Sequence, residues 1–189
     1  MPSPADSRSR PRGHTLIEAL VVLGLIATLL SLALPGWREH LARRRVEAAA
    51  AVLQADLAEL RSAAIARDTG LRMTFRSGTQ GSCWLLHEGD AAPCDCPPDT
   101  QGEPAPRCHD GARLLQARSW LPDELRVSAN INSLRIDPRL GSISPSGSVD
   151  LRATGLQPMR LVISVLGRVR ACSVATDPSL PGWRGLAPC

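Results

Sequence analysis

Residues Gly13 to Trp37 read GHTLIEALVVLGLIATLLSLALPGW. Leu16 to Leu34 is apolar apart from Glu18, Thr28 and Ser31, and about nineteen residues are enough to cross one bilayer as a helix. A carboxylate inside such a run is costly, so it ordinarily has a partner. No lysine or arginine lies between Gly13 and Trp37. The partner of Glu18 is therefore a backbone terminus or another molecule.

Arg8, Arg10 and Arg12 precede the run, and Arg38, Arg43, Arg44 and Arg45 follow it. Three readings compete. A secretory signal would use the first arginines as its positive region and Ser31-Leu32-Ala33 as a small-x-small cleavage site. Against it, Glu18 interrupts the apolar region and Pro35 would fall just after the cut. A plain anchor fits the length, although charge at both ends does not orient it. The third reading starts from Gly13, then Thr15-Leu16-Ile17-Glu18 and the apolar helix. That pattern resembles the class III signal of type IV pilins and pseudopilins. The resemblance implies that a prepilin peptidase cuts between Gly13 and His14 and methylates the new N-terminus, making Glu18 the fifth mature residue and Pro35 the twenty-second. It also implies that Glu18 pairs with the N-terminal ammonium of a neighbouring subunit, an attraction strengthened by low dielectric. His14 stands where the family usually has Phe.

The whole chain has 189 residues, 43% of them hydrophobic, which suggests one modest domain besides the apolar segment. Its balance is 22 basic against 18 acidic residues, all the bases being arginine, so composition alone implies no polyanion partner. With one Phe, four Trp and no Tyr, the core must be built from Leu, Val, Ile and Ala. Six cysteines beside an N-terminal apolar segment point to an oxidising, extracytoplasmic compartment.

Beyond Pro35, which should kink the helix, Val46, Ala49, Leu53, Leu57, Leu60 and Ala64 recur at spacings of three and four. That is the apolar stripe of an amphipathic helix. Arg43, Arg44, Arg45, Glu47, Asp56, Glu59 and Arg61 fall mostly off the stripe and suit a solvated face. Asp68-Thr69-Gly70 stops the helix. The pattern then changes to strands: Leu71 to Phe75 and Cys83 to Leu86 as a hairpin, then Leu114 to Trp120, Glu124 to Val127, Ser133 to Ile136 and Val149 to Leu151. Met159 to Val169, MRLVISVLGRV, is the strongest strand candidate. Ala91 to Gly111 is a polar, Pro-rich loop holding three cysteines. A long helix followed by antiparallel strands gives an α+β fold.

Cys83, Cys94, Cys96, Cys108 and His109 could be read as a zinc constellation, but the single-residue gap of Cys94-Asp95-Cys96 is unlike the usual pairs. Disulfides suit the compartment better, with no metal. Cys172 and Cys189 flank a Pro/Gly-rich tail and should close it. The other four should pair among themselves, each of Cys94 and Cys96 reaching Cys83 or Cys108, in either order. His14, His40, His87 and His109 are scattered, and there is no nucleophile elbow, metal-binding His pair or phosphate loop. The expectation is no enzyme and no cofactor. In the tail, Arg160, Arg168, Arg170 and Arg184 stand against one acid, Asp177. Arg168 and Arg170 are two apart and share a strand face. They suit bidentate phosphate binding, or else solvated charges paired with Asp137 or Asp150.

Asp137 to Leu151, DPRLGSISPSGSVDL, followed by Met159 to Cys172, MRLVISVLGRVRAC, resembles the FimT/GspH group. The resemblance implies a pilin-like long N-terminal helix, half membrane and half amphipathic, packed on an antiparallel β-sheet head. Residues 1–13 would be a cleaved leader and 14–36 the transmembrane or filament-core helix. Residues 37–189 would be the periplasmic head, with helix 37–68, a β-rich part 70–172 and a tail 173–189. In FimT-like minor pilins the Gly-Arg-x-Arg stretch is associated with DNA capture in natural transformation, which lands here on Arg168 and Arg170; Arg160 and Arg184 are added on charge. The expected protein is an inner-membrane, single-pass minor pilin, later part of a type IV pilus. Its expected partners are other pilin subunits, a prepilin peptidase, the inner membrane and DNA. The rival is a GspH-type pseudopilin of type II secretion with a structural role. A periplasmic binding protein on an uncleaved anchor survives only if Gly13 is not cut.

Overall fold

The computed structural model describes residues 15–89, 94–109 and 111–189. It divides into two compact units, Met1–Arg38 and Glu39–Cys189. One helix, α1 (Leu16–Arg67), runs through both. At its start Thr15 serves as the cap, its Oγ1 accepting the N–H of Glu18 at 3.3 Å. Leu16, Ile17, Leu20, Leu23, Leu25 and Leu29 are among the apolar side chains exposed in the first unit. No single helix among the described residues is long and apolar enough to cross a membrane, whereas Leu16–Ser31 and Gly36–Arg67, taken as a bent pair, are so by length and composition alone. At its other end Asp68 takes a left-handed φ of 50°, and the Thr69 N–H returns to the Ala64 carbonyl. This helix stop is usually a glycine's task.

The second unit carries its own core. The stripe Val46, Ala49, Leu53, Leu57, Leu60 and Ala64 is buried as its spacing predicts. Burying each leucine contributes about 2 kcal/mol. Asp56, read from sequence as solvated, is instead only 3% exposed. Its Oδ2 accepts the indole N–H of Trp84 at 2.8 Å and faces Arg118 Nε at 3.5 Å. A carboxylate is tolerated there because both donors sit opposite it. Arg61 also leaves the solvated set, donating to the Leu166 carbonyl at 3.0 Å.

The strands are β1 (Leu71–Ser77), β2 (Ser82–Glu88), β3 (Cys94–Asp95), β4 (Arg107–Cys108), β5 (Arg113–Trp120) and β6 (Arg126–Ala129). They continue with β7 (Ser133–Ile136), β8 (Ile143–Ser144), β9 (Gly147–Arg152), β10 (Met159–Ile163) and β11 (Val169–Ser173). Three antiparallel sheets result, ordered β5-β2-β1-β7-β8, β11-β10-β9-β6 and β3-β4. Trp84, Leu86, Met73, Leu134, Val149, Leu151 and Leu161 from the two larger sheets join the helix stripe in one core. The fold is α+β.

Strand β2 is buried from Ser82 to His87 on both faces. One face meets the helix core; the other, with Cys83 and Leu85, packs on Cys94, Cys96 and Cys108. The polar cysteine loop is therefore a lid on the sheet, and it contains the short β3–β4 ladder, where Cys94 faces Cys108. Its bonds run Cys83–Cys96 and Cys94–Cys108, an order the sequence left open. The single strand expected over Met159 to Val169 is corrected to a hairpin. Gly167, at φ 76°, turns the chain, and the Ser164 N–H donates to the Arg168 carbonyl. Apolar content alone did not mark that turn.

Candidate functional site

The Gly13–His14 processing site lies outside the described residues. Glu18 is exposed in the first turn of α1, where a negative charge also complements the helix dipole.

Of the remaining candidates, Arg160 and Arg170 lie on the β11-β10-β9-β6 sheet. Val149, Leu151, Leu161 and Ile163 face the core, so the alternate residues face outward. The register places Arg170 opposite Val162, and Arg160 opposite both Cys172 and Asp150. Arg126 lies opposite Arg152, and Ser128 opposite Asp150. The outer face thus bears Arg126, Arg152, Arg160 and Arg170 against one carboxylate.

That carboxylate is committed. Arg160 forks onto Asp150 with Nε at 2.7 Å from Oδ1 and Nη2 at 2.9 Å from Oδ2, while Arg152 approaches Oδ2 at 3.5 Å. Burial alone would push the Asp150 carboxyl up; the Arg160 hydrogen bonds and charge, with Arg152, outweigh it and hold it below the ordinary carboxylate range. The same hydrogen bonds push the Arg160 guanidinium up. Arg160, expected to bind phosphate, is therefore held by Asp150 in the resting structure, a pairing that only the register makes visible. Asp150 is not the partner of Arg168 or Arg170. Nor is Asp137, whose Oδ1 accepts the N–H groups of Leu140 and Arg139 at 2.9 Å each and whose carboxyl those bonds hold down.

Arg170 is exposed on edge strand β11, and Arg168 is exposed in the turn just before it. Among the described residues neither is ion-paired. Arg184 is exposed in the tail and is not on the ladder carrying Arg160 and Arg170. Sequence reading missed Arg126 and Arg152. The even spacing of Asp150 and Arg152 put those two on one face, but bringing Arg126 there required the β6–β9 pairing.

The tail is built, not loose. Cys172–Cys189 closes it, and Ser173 donates to the Ala187 carbonyl while accepting from Cys189. Gln157, buried, is its hub: its Oε1 accepts from the Thr176 N–H at 2.9 Å and hydroxyl at 3.0 Å, and its Nε2 donates to the Asp177 carbonyl. Its carbonyl accepts the Trp183 indole N–H at 2.8 Å. Arg43 lies over the Trp183 ring at 5.5 Å and donates to the Gly182 carbonyl, joining the tail to α1. No sequence signal singled out Gln157. Among the described residues, the outer sheet face is cationic and built from strands alone.

Two family models match the chain: the type II transport protein GspH over residues 49–167, and the prokaryotic N-terminal methylation motif over residues 8–34. No curated protein matches. Among solved structures, the type IV minor pilin FimU of Pseudomonas aeruginosa (strain PAO1) is similar in two crystal forms. One shares 16% identity at TM-score 0.47, covering 75% of this chain and 95% of that one. The other shares 16% at 0.45, covering 73% and 97%. A likeness of that degree says nothing of function.

Proposed function

The chain belongs to the GspH family of type II transport proteins and is a minor pilin or pseudopilin; from that premise we propose that it serves a type IV pilus and captures DNA. In this reading a prepilin peptidase removes Met1 to Gly13 and methylates His14. The apolar helix holds the subunit in the inner membrane until it is built into the filament beside other pilin subunits, with Glu18 meeting a neighbour's N-terminus. The head then holds duplex DNA through phosphates for uptake in natural transformation.

The observation that supports DNA capture is the outer sheet face, where Arg126, Arg152 and Arg170 surround the paired Arg160–Asp150, with Arg168 at its margin. Arginines on strands reach phosphates but supply no base readout. A head of residues 37–189 should therefore bind duplexes of unrelated sequence alike. If Arg168, Arg170 and one or two neighbours each displace a counterion, log K against log salt should have a slope of about −3 to −4. Arg168→Ala with Arg170→Ala should flatten it by about 2, and Arg126→Ala with Arg152→Ala by about 1 to 2. A folded head without salt-sensitive binding at low ionic strength overturns DNA capture.

A second reading is favoured by the family match itself: a pseudopilin of type II secretion whose contacts are with protein subunits only. The same titration separates the two.

A further inference from the structure

Two turns outside the arginine face meet on one side chain. The turn Asp137–Ser142 is closed by the Asp137 N–H to the Ser142 carbonyl at 2.9 Å and the Gly141 N–H to the Asp137 carbonyl at 2.8 Å. The hairpin turn Ser164–Arg168 is closed by the Gly167 N–H to the Ser164 carbonyl and the Arg168 N–H to Ser164 Oγ. Arg61 stands between them. A Cβ on Gly141 would lie 2.9 Å from Arg61 Nε, and one on Gly167 3.2 Å from Nη1. Both glycines have positive φ, 60° and 76°, so both turns need glycine twice over, for conformation and for room. Arg61 also donates to the Leu166 carbonyl at 3.0 Å, and the Ile143 N–H to the Val165 carbonyl at 2.7 Å.

This bracing holds apolar side chains in solvent. Leu140 is 78% exposed, Leu166 72%, Val165 51% and Ile65 50%. Single exposed leucines need no explanation. Here Leu140 and the pair Val165–Leu166 directly precede the two glycines that approach Arg61, and Ile65 lies one helical turn beyond it. The exposed charges beside the two turns' leucines are Arg139, next to Leu140, and Arg168, two residues beyond Leu166; Asp68 is exposed three residues beyond Ile65. The one carboxylate in the turns, Asp137, binds the turn's own amides. Arg139 and Arg168, the latter two residues from Arg170, give this edge an excess of positive charge that fits a polyanion.

We propose that this braced tip is a wedge for duplex DNA, deepening the DNA-capture reading and resting on it. Leu166, with Leu140 beside it, presses into the minor groove against a base step while Arg168 and Arg139 hold the flanking phosphates. Aliphatic wedges of this kind unstack a step and kink the duplex, and pyrimidine–purine steps yield most readily. The head therefore bends what it holds, and it selects flexible steps without reading bases.

The test uses duplexes of about 30 base pairs carrying a fluorescence donor and acceptor at their ends, one with central TA steps and one with a stiff A-tract. Binding of the 37–189 head should raise energy transfer and favour the TA duplex by about tenfold. Leu140→Ala with Leu166→Ala, both surface changes, should abolish the bend and the preference and leave the salt slope unchanged. Salt-dependent binding without bending, or bending that survives the alanine pair, overturns the wedge and leaves phosphate capture standing. A wild-type head that binds neither duplex brings down the capture reading, and the wedge with it. If the alanine pair bends DNA normally but no longer enters filaments, the tip seats a protein neighbour and the wedge is wrong.

Discussion

Replacing Asp56 by alanine isolates the contact that ties α1 to the sheet. Trp84 is fully buried, and its indole N–H has Asp56 Oδ2 as acceptor at 2.8 Å. Without the carboxylate that donor is stranded away from water, and a lost hydrogen bond to a charged group costs about 2–3 kcal/mol. Arg118, on the other side of the carboxylate, is 42% exposed and can turn to water, so losing it adds less than about 1 kcal/mol. The sum, about 2–3 kcal/mol, should lower the melting temperature of a head of this size by roughly 5–10 °C. Asp56→Asn keeps an acceptor and should recover half or more of the loss. Thermal unfolding of oxidised head protein, followed by tryptophan fluorescence and circular dichroism, reads both variants. An Asp56→Ala head within about 0.5 kcal/mol of wild type would refute the reasoning, since surface changes without structural consequence fall in that range.

Gln157→Leu removes the acceptor of the Thr176 N–H and hydroxyl and the donor to the Asp177 carbonyl, and should cost about 2 kcal/mol; limited trypsin digestion should then cut at Arg184 faster, and an unchanged rate would deny Gln157 its role as hub. Cys172→Ser with Cys189→Ser opens a loop of 17 residues' separation and should cost about 3 kcal/mol in the chain-entropy model, read as a lower denaturant midpoint. His87 is buried, with Nε2 on Thr74 Oγ1 at 2.8 Å, and burial, then Arg72, holds its pKa below the usual histidine value. Because the folded value is the lower one, the unfolded chain takes up the proton first, and stability should fall as pH drops below about 6.5. Urea midpoints at pH 7.5 and pH 5 check this, and His87→Gln should reduce the difference.

The helix, its stripe and most of the longer strands were legible in the sequence because each is a local matter of period and apolar content, whereas β3, β4, β8 and the separate β11 were not. Val46 to Ala64 repeats at helical spacing whatever packs on it, and Asp68-Thr69-Gly70 halts a helix by its own backbone preferences. The placing of Cys172 and Cys189 at either end of the Pro/Gly-rich tail likewise predicted the bond that closes it. What a residue meets across the fold was not legible. Asp56 looked solvated until Trp84 and Arg118 were placed opposite it. Arg160 looked like a free cation until β9 brought up Asp150. Arg126 joined the arginine face only through its pairing with β9, and the pairing of Cys83, Cys94, Cys96 and Cys108 followed from Cys94 facing Cys108. Strand register sets these partners, and register is fixed by how two distant stretches bury their apolar faces together. A one-residue slip would turn Trp84, Arg126 or Asp150 to the other face of its sheet, so only the folded chain could decide these partners.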